Sequence, residues 1–186
     1  MQEEIHKCIE VLLDGGLIVY PTDTLWGIGC DATNEAAVAK VFALKKRDLS
    51  KKMSCLVAHE FMLEKHVKQV PEVAYDLIDL ATKPTTIVYD QPVGMAQNLV
   101  SPNQTIAIRV ASDKFCQYLI AKFKRPLVAT SANLSGAPAP RNFKEISAAI
   151  LKGVDYVVNL PEEKKLATPS SIIQLKNDGT VKIIRE

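Results

Sequence analysis

Gly16-Leu-Ile-Val-Tyr-Pro-Thr-Asp-Thr-Leu-Trp-Gly-Ile-Gly-Cys-Asp-Ala32 decides how the chain is read. Leu17 to Tyr20 is apolar, β-rich and preceded by a Gly pair, so it reads as a buried strand. Pro21 has no N–H to give a ladder and forces a bend. Thr22, Asp23 and Thr24 stand where the strand would emerge. Trp26 can wall a site there, and Gly27 and Gly29 let backbone or ligand approach closely. Hydroxyls and a carboxylate at a strand end, beside an aromatic ring, suit a small polar ligand. The same residues also fit a plain strand, tight turn and second strand, with the polar groups serving only the turn.

Outward from this stretch, the chain has 186 residues, enough for a single domain over 1–186 with a real core and too few for two. Apolar residues are 47% and charged residues 24%, an ordinary globular balance. No apolar run is long enough to span a bilayer, and the N-terminus lacks a signal-peptide core, so a cytoplasmic chain without membrane contact is expected. Cys8, Cys30, Cys55 and Cys116 are scattered, without a CxxC or paired His spacing. They read as buried hydrophobes in a reducing compartment, not as a disulfide frame or zinc site. The net charge of +2 is weak, so attraction for nucleic acid needs local clustering.

Ile5, Cys8, Ile9 and Leu12 predict a helix ended by Gly15-Gly16. Asn34 is an N-cap candidate for a helix with Val38, Val41 and Phe42 inward, running into Lys45-Lys46-Arg47. Pro71 starts a helix with Ala74, Leu77, Ile78 and Ala81 inward. Ser112 caps a helix carrying Cys116, Leu119, Ile120 and Phe123. Asn142 and Glu145 form a variant capping box for a helix with Ile146 and Ile150. Strands are expected over 54–58, 85–89, 105–110, 127–131, 154–159, 170–175 and 181–185, with a turn at Asn177-Asp178-Gly179 and a charged loop over 161–169. The mostly alternating order predicts an α/β domain with a twisted, mixed parallel and antiparallel sheet and flanking helices.

Polar residues recur at these strand ends: Thr22-Asp23-Thr24, Arg109, Ser131 with Asn133, Ser170-Ser171 and Arg185. Strand ends are where α/β sheets form ligand clefts. Lys40, Lys45, Lys46, Arg47, Lys51 and Lys52 face only Asp48. That run reads either as a solvated loop or as a clamp for a triphosphate or RNA backbone. There is no P-loop and no G-x-G-x-x-G. His6, His59 and His66 lie outside the polar clusters, and no Ser-His-Asp arrangement is present. Asp23 and Asp31 read as structural carboxylates, or as holders of a metal through water; no metal site is assigned.

Pro21-Thr-Asp-Thr-Leu-Trp-Gly-Ile-Gly-Cys-Asp-Ala32, Lys45-x-Arg47, Thr105-Ile-Ala-Ile-Arg-Val110, Ser131-Ala-Asn-Leu-Ser-Gly136 and Pro169-Ser-Ser-Ile-Ile173 together resemble the YrdC-like family of L-threonylcarbamoyladenylate synthases. The resemblance covers nearly the whole chain and implies the short, single-domain form, with a concave basic sheet face. It implies that L-threonine, bicarbonate and ATP become threonylcarbamoyl-AMP and pyrophosphate, with Mg²⁺ bound to the ATP. A separate transferase complex would then modify the adenosine next to the anticodon of tRNAs reading A-starting codons. Carried over, Thr24, Arg109 and Ser170 contact threonine. Lys45, Arg47, Lys51, Thr105, Ser131, Asn133 and Arg185 contact ATP, with Lys45 and Arg47 as the catalytic candidates.

The chain departs from the family pattern at several places. Lys52-Met53 replace Pro-Leu, Leu56 stands where a His touches threonine, and Ala111 replaces a Pro. Ser170-Ser171 replace Ser-Thr, and Ala139 replaces a loop Ser. The competing class is an RNA-binding or ribosome-maturation factor that uses the basic face for tRNA or double-stranded RNA. The missing aromatic platform weighs against it, aromatic residues being 6%.

Overall fold

The computed structural model describes residues 1–160 and 168–186. Most of the charged loop expected over 161–169 lies outside them. Helix α1 (Gln2–Leu13) buries Ile5, Cys8 and Leu12. The opening stretch is a hairpin of β1 (Ile18–Pro21) and β2 (Trp26–Gly29), with Pro21 opposite Trp26. It is thus both the plain strand–turn–strand and, as shown below, part of a cleft. Tyr20 is fully buried and its hydroxyl donates to Val128 O at 3.0 Å. Its ring lies against Gly29, where a Cβ would stand 2.6 Å from Tyr20 Cε1, so only glycine fits.

Helix α2 (Glu35–Lys45) is capped as expected by Asn34, whose Oδ1 accepts from Ala37 N at 3.1 Å. Lys46 ends it in the left-handed region, φ 49°. Strand β3 (Ser54–Val57) leads to α3 (Glu60–His66), a short helix capped by His59 that the periodicity did not announce. Helix α4 (Glu72–Asp79) follows Pro71; Ala74 is buried, but Ala81 lies beyond the helix and is exposed. Then come β4 (Thr85–Asp90), β5 (Thr105–Val110), α5 (Lys114–Phe123) and β6 (Leu127–Ser131).

Asp113 rather than Ser112 caps α5, accepting from Cys116 N at 2.8 Å, because the Ser112 hydroxyl is taken by Asp23. Asn142 and Glu145 bond to each other around a 3-10 turn over Phe143–Glu145. The helix α6 (Ala148–Lys152) starts later and is capped by Ser147. Strands β7 (Tyr156–Val157), β8 (Ser171–Leu175) and β9 (Val181–Arg185) complete the chain, the last two joined through Gly179 at φ 84°.

The nine strands make one mixed sheet in the order β7-β1-β2-β6-β3-β5-β4-β8-β9. Pairs β1–β7, β3–β5 and β4–β8 are parallel and the others antiparallel. Register pairs Gly27 with Ser131, Ser54 with Ala129, Leu56 with Arg109, Ala107 with Val88 and Thr86 with Ile172. Residues opposed in this way share a face, so one face is lined largely by small and polar side chains. The other face carries Ile28, Val128, Cys55, Ile108, Ile87 and Tyr89, all buried. Helices α3 and α5 pack against β3. The alternation Thr105, Ala107, Arg109 against Ile106, Ile108 shows in five residues how one strand serves both faces.

Candidate functional site

The small-residue face leaves a hollow of about 340 Å³. Gly27, Ala107 and Ala129 leave the space, and Trp26 is among the lining residues. Thr24, Arg47, Arg109, Ser131, Ser170 and Arg185, far apart in sequence, all line it. Its described lining holds four cations, including Lys52, and no carboxylate.

Arg109 arrives at the hollow from the end of β5 and is 6% exposed. One guanidinium nitrogen donates to Asp23 Oδ1, and the other lies 3.4 Å from Thr24 Oγ1. Asp23 Oδ2 accepts from Ser112 Oγ at 2.7 Å and from Ser112 N at 3.3 Å. Burial lowers the Arg109 pKa, and the adjacent carboxylate compensates its charge. Asp23 is therefore the structural partner of Arg109. Asp31 is likewise engaged, by Thr33 and Arg125. Thr22 stays within the turn: its hydroxyl donates to Leu25 O at 2.7 Å and lies 2.9 Å from Thr24 Oγ1.

At the other rim Arg47 is half-buried and bends over its own loop. Its Nε donates to Lys51 O at 2.6 Å and an Nη to Lys52 O at 3.1 Å. Lys52 Nζ donates to Asn98 O at 3.0 Å. Arg185 donates twice to Ser170 O, at 3.0 and 2.6 Å, while Ser170 Oγ pairs with Thr86 Oγ1 at 2.8 Å. Arg185 reaches this face because of a bulge. Ile172 opposes Arg185 and Ile173 opposes Ile183, so Ile184 is skipped and the side chain after it changes face.

Four expected contacts do not line the hollow. Lys45 is 1% exposed and lies under the loop after β6. Its ammonium donates to Ser131 O, to Asn133 O at 2.7 Å and to Asn133 Oδ1 at 3.3 Å. Burial, with Arg47 nearby, pulls its pKa down to about 7. Asn133 is turned to the same loop, accepting from Ser131 Oγ at 2.5 Å and donating to Ala137 O at 2.6 Å. Lys51 is exposed and offers its carbonyl to Arg47. Thr105 bonds to Ser101 Oγ at 2.7 Å. Lys45 and Asn133 thus tie together the loop that follows Ser131.

Lys52 of the basic run also lines the hollow; sequence reading missed Ser54 and Thr86 as lining residues, whose signal was position on the same strand face as Ala107 and Ala129, visible only with the register. Leu56 is buried opposite Arg109 and gives the hollow no polar group. Ala139 lines the wall, and Ala111 is buried. Burial pushes the Cys8 and Cys55 thiols up to about 12 and raises Cys30 and Cys116 as well, so all four stay protonated near neutrality. Among the described residues no cluster of three or more His, Cys, Asp or Glu could hold a metal ion. No described helix is long and apolar enough to cross a membrane.

This geometry can be set beside known proteins. A Methanocaldococcus jannaschii relative is 34% identical over 187 residues, 98% of this chain and 87% of its own. A Stenotrophomonas maltophilia protein named threonylcarbamoyl-AMP synthase is 34% identical over 90% of this chain and 91% of its own. The P. abyssi Sua5 crystal structure with L-threonine superposes with a TM-score of 0.85 at 26% identity over 92% of this chain. This chain spans about half that Sua5 chain, 50%. E. coli YciO shares the fold, with a TM-score of 0.85 at 24% identity and coverage of 100% of this chain and 90% of its own. The family model for Sua5, YciO and YrdC, described as telomere recombination, matches residues 10–186, and the chain belongs to that family.

Proposed function

We propose that the chain is an L-threonylcarbamoyladenylate synthase, converting L-threonine, bicarbonate and ATP to threonylcarbamoyl-AMP and pyrophosphate. One observation carries this reading: Thr24, Arg47, Arg109, Ser131, Ser170 and Arg185 meet in one hollow. The relative named threonylcarbamoyl-AMP synthase and the threonine-bound Sua5 support it. The product suits a downstream transferase complex acting on tRNA. The RNA-binding reading is not favoured, because the described lining includes a single aromatic residue, Trp26.

In this reading Arg109 receives the threonine carboxylate on the guanidinium edge that Asp23 leaves open, with Thr24 and Ser170 beside it. The threonine amine joins bicarbonate, losing water, to give N-carboxythreonine. A carboxylate oxygen of that carbamate attacks the α-phosphorus of ATP. The bond from the α-phosphorus to the bridging oxygen breaks, and pyrophosphate leaves with the electron pair. Arg47 and Arg185 offset the charge gathering on the leaving group, while Ser131 offers a neutral contact. No side chain becomes a nucleophile, so the residues act by positioning and charge stabilisation. The described lining has no carboxylate to ligate Mg²⁺ directly, so an ion arriving with the ATP would supply further charge neutralisation without a side-chain ligand from that lining.

The test is incubation with ATP, Mg²⁺, bicarbonate and each amino acid in turn. Threonine-dependent pyrophosphate release with formation of an acylated AMP is expected. Release that ignores the amino acid, or none at all, overturns the reading.

A further inference from the structure

The cations of the hollow differ in what compensates them. Arg109 has Asp23. Arg47, Lys52 and Arg185 bond only to backbone carbonyls among the described residues, and none of them pairs with a carboxylate. A carbonyl orients a cation without cancelling its charge. Lys52 is half-buried at the hollow, and its ammonium has three N–H donors. Asn98 O takes one of them. Two remain without a partner among the described residues, on a group whose stem is anchored at one end by the Arg47 bond to its own carbonyl and at the other by Asn98.

We propose that Lys52 is a polyphosphate-binding residue: beside Arg47 it forms an anion seat whose spare donors take non-bridging oxygens of a nucleotide's β- and γ-phosphates. The proposal rests on the reading of the hollow as a nucleotide site and adds to it a contact at a position where the family pattern has proline, which has neither charge nor donor. A single negative charge, such as an amino-acid carboxylate, has a partner in Arg109. A chain of phosphates needs several uncompensated cations close together, which the Arg47–Lys52 loop supplies.

The experiment compares the full chain with Lys52→Met, which keeps the stem, and Lys52→Arg, which restores the charge. Calorimetric titrations use ATP, AMP and inorganic tripolyphosphate, at low and moderate salt. Lys52→Met should weaken ATP and tripolyphosphate about tenfold and leave AMP within about twofold. Lys52→Arg should recover most of the loss. The salt dependence of ATP binding should be shallower in Lys52→Met. Equal losses for ATP and AMP, or no loss for either, would overturn the proposal. Wild-type protein that binds tripolyphosphate but no ATP would sink the nucleotide reading while keeping the anion seat, so the two failures are separable.

Discussion

The two ends of the hollow hold positive charge in opposite ways. Arg109 is buried, paired with Asp23 and backed by Ser112, so the charge at that end is largely compensated. Arg47, Lys52 and Arg185 are more exposed and are held by the carbonyls of residues 51, 52, 98 and 170. A cation buried without a counter-charge would destabilise the fold, so the deep end must carry its own carboxylate. Near water that cost is small, and the rim can keep charge in reserve for a ligand. Counting cations in a motif therefore overstates what is available to substrate; the partner of each decides.

Removing Asp23 should break this comparison most forcefully. Asp23→Ala strands the buried guanidinium and should lower stability in urea unfolding by about 3–5 kcal/mol. Adding Arg109→Met should recover most of that. A loss below about 1 kcal/mol from Asp23→Ala alone would show that Arg109 does not depend on its ion pair. The rim should behave in the reverse manner. Arg47→Ala should cut threonine-dependent pyrophosphate release about 10²–10³-fold and change stability by less than about 1 kcal/mol. Release near the wild-type rate would discard the clamp role of Arg47.

The smallest effect is expected at Lys45, which belongs to neither end. The unfolded chain keeps this lysine's proton to near 10.5, whereas the folded chain releases it near 7. Between those values the unfolded chain binds more protons, so this group makes folding more favourable as pH rises. The slope it adds is at most about 1.4 kcal/mol per pH unit. Urea midpoints measured across that interval should rise less steeply in Lys45→Met. Identical slopes in the two proteins would assign the titration to another group.

Much of the fold was legible because local rules agreed with it. Asn34 capped its helix, Asn177-Asp178-Gly179 made its hairpin turn, and the alternation in Thr105–Val110 reported a strand with one apolar face. The misreadings came where a distant group competed for a local one. Ser112 looked like a cap, but Asp23, 89 positions away, claims its hydroxyl. Nor could local pattern show that Lys45 is buried with its ammonium on the carbonyls of residues 131 and 133. Thr86 and Ser54 carried no signal of their own, since a hydroxyl in a strand is ordinary until its face is known.

The sequence by itself determined the residue types at the strand ends, the α/β alternation and the supply of small side chains that leave a hollow open. Those are properties of neighbours in the chain, set by backbone period and turn chemistry. Only the tertiary structure decided which of the hollow's cations pair with a carboxylate among the described residues, because Asp23 and Arg109 meet across 86 positions. It alone decided that Arg185 reaches the hollow, through one skipped residue in β9. A side-chain period of two makes the face of a strand depend on register, and register is settled by pairing with other strands.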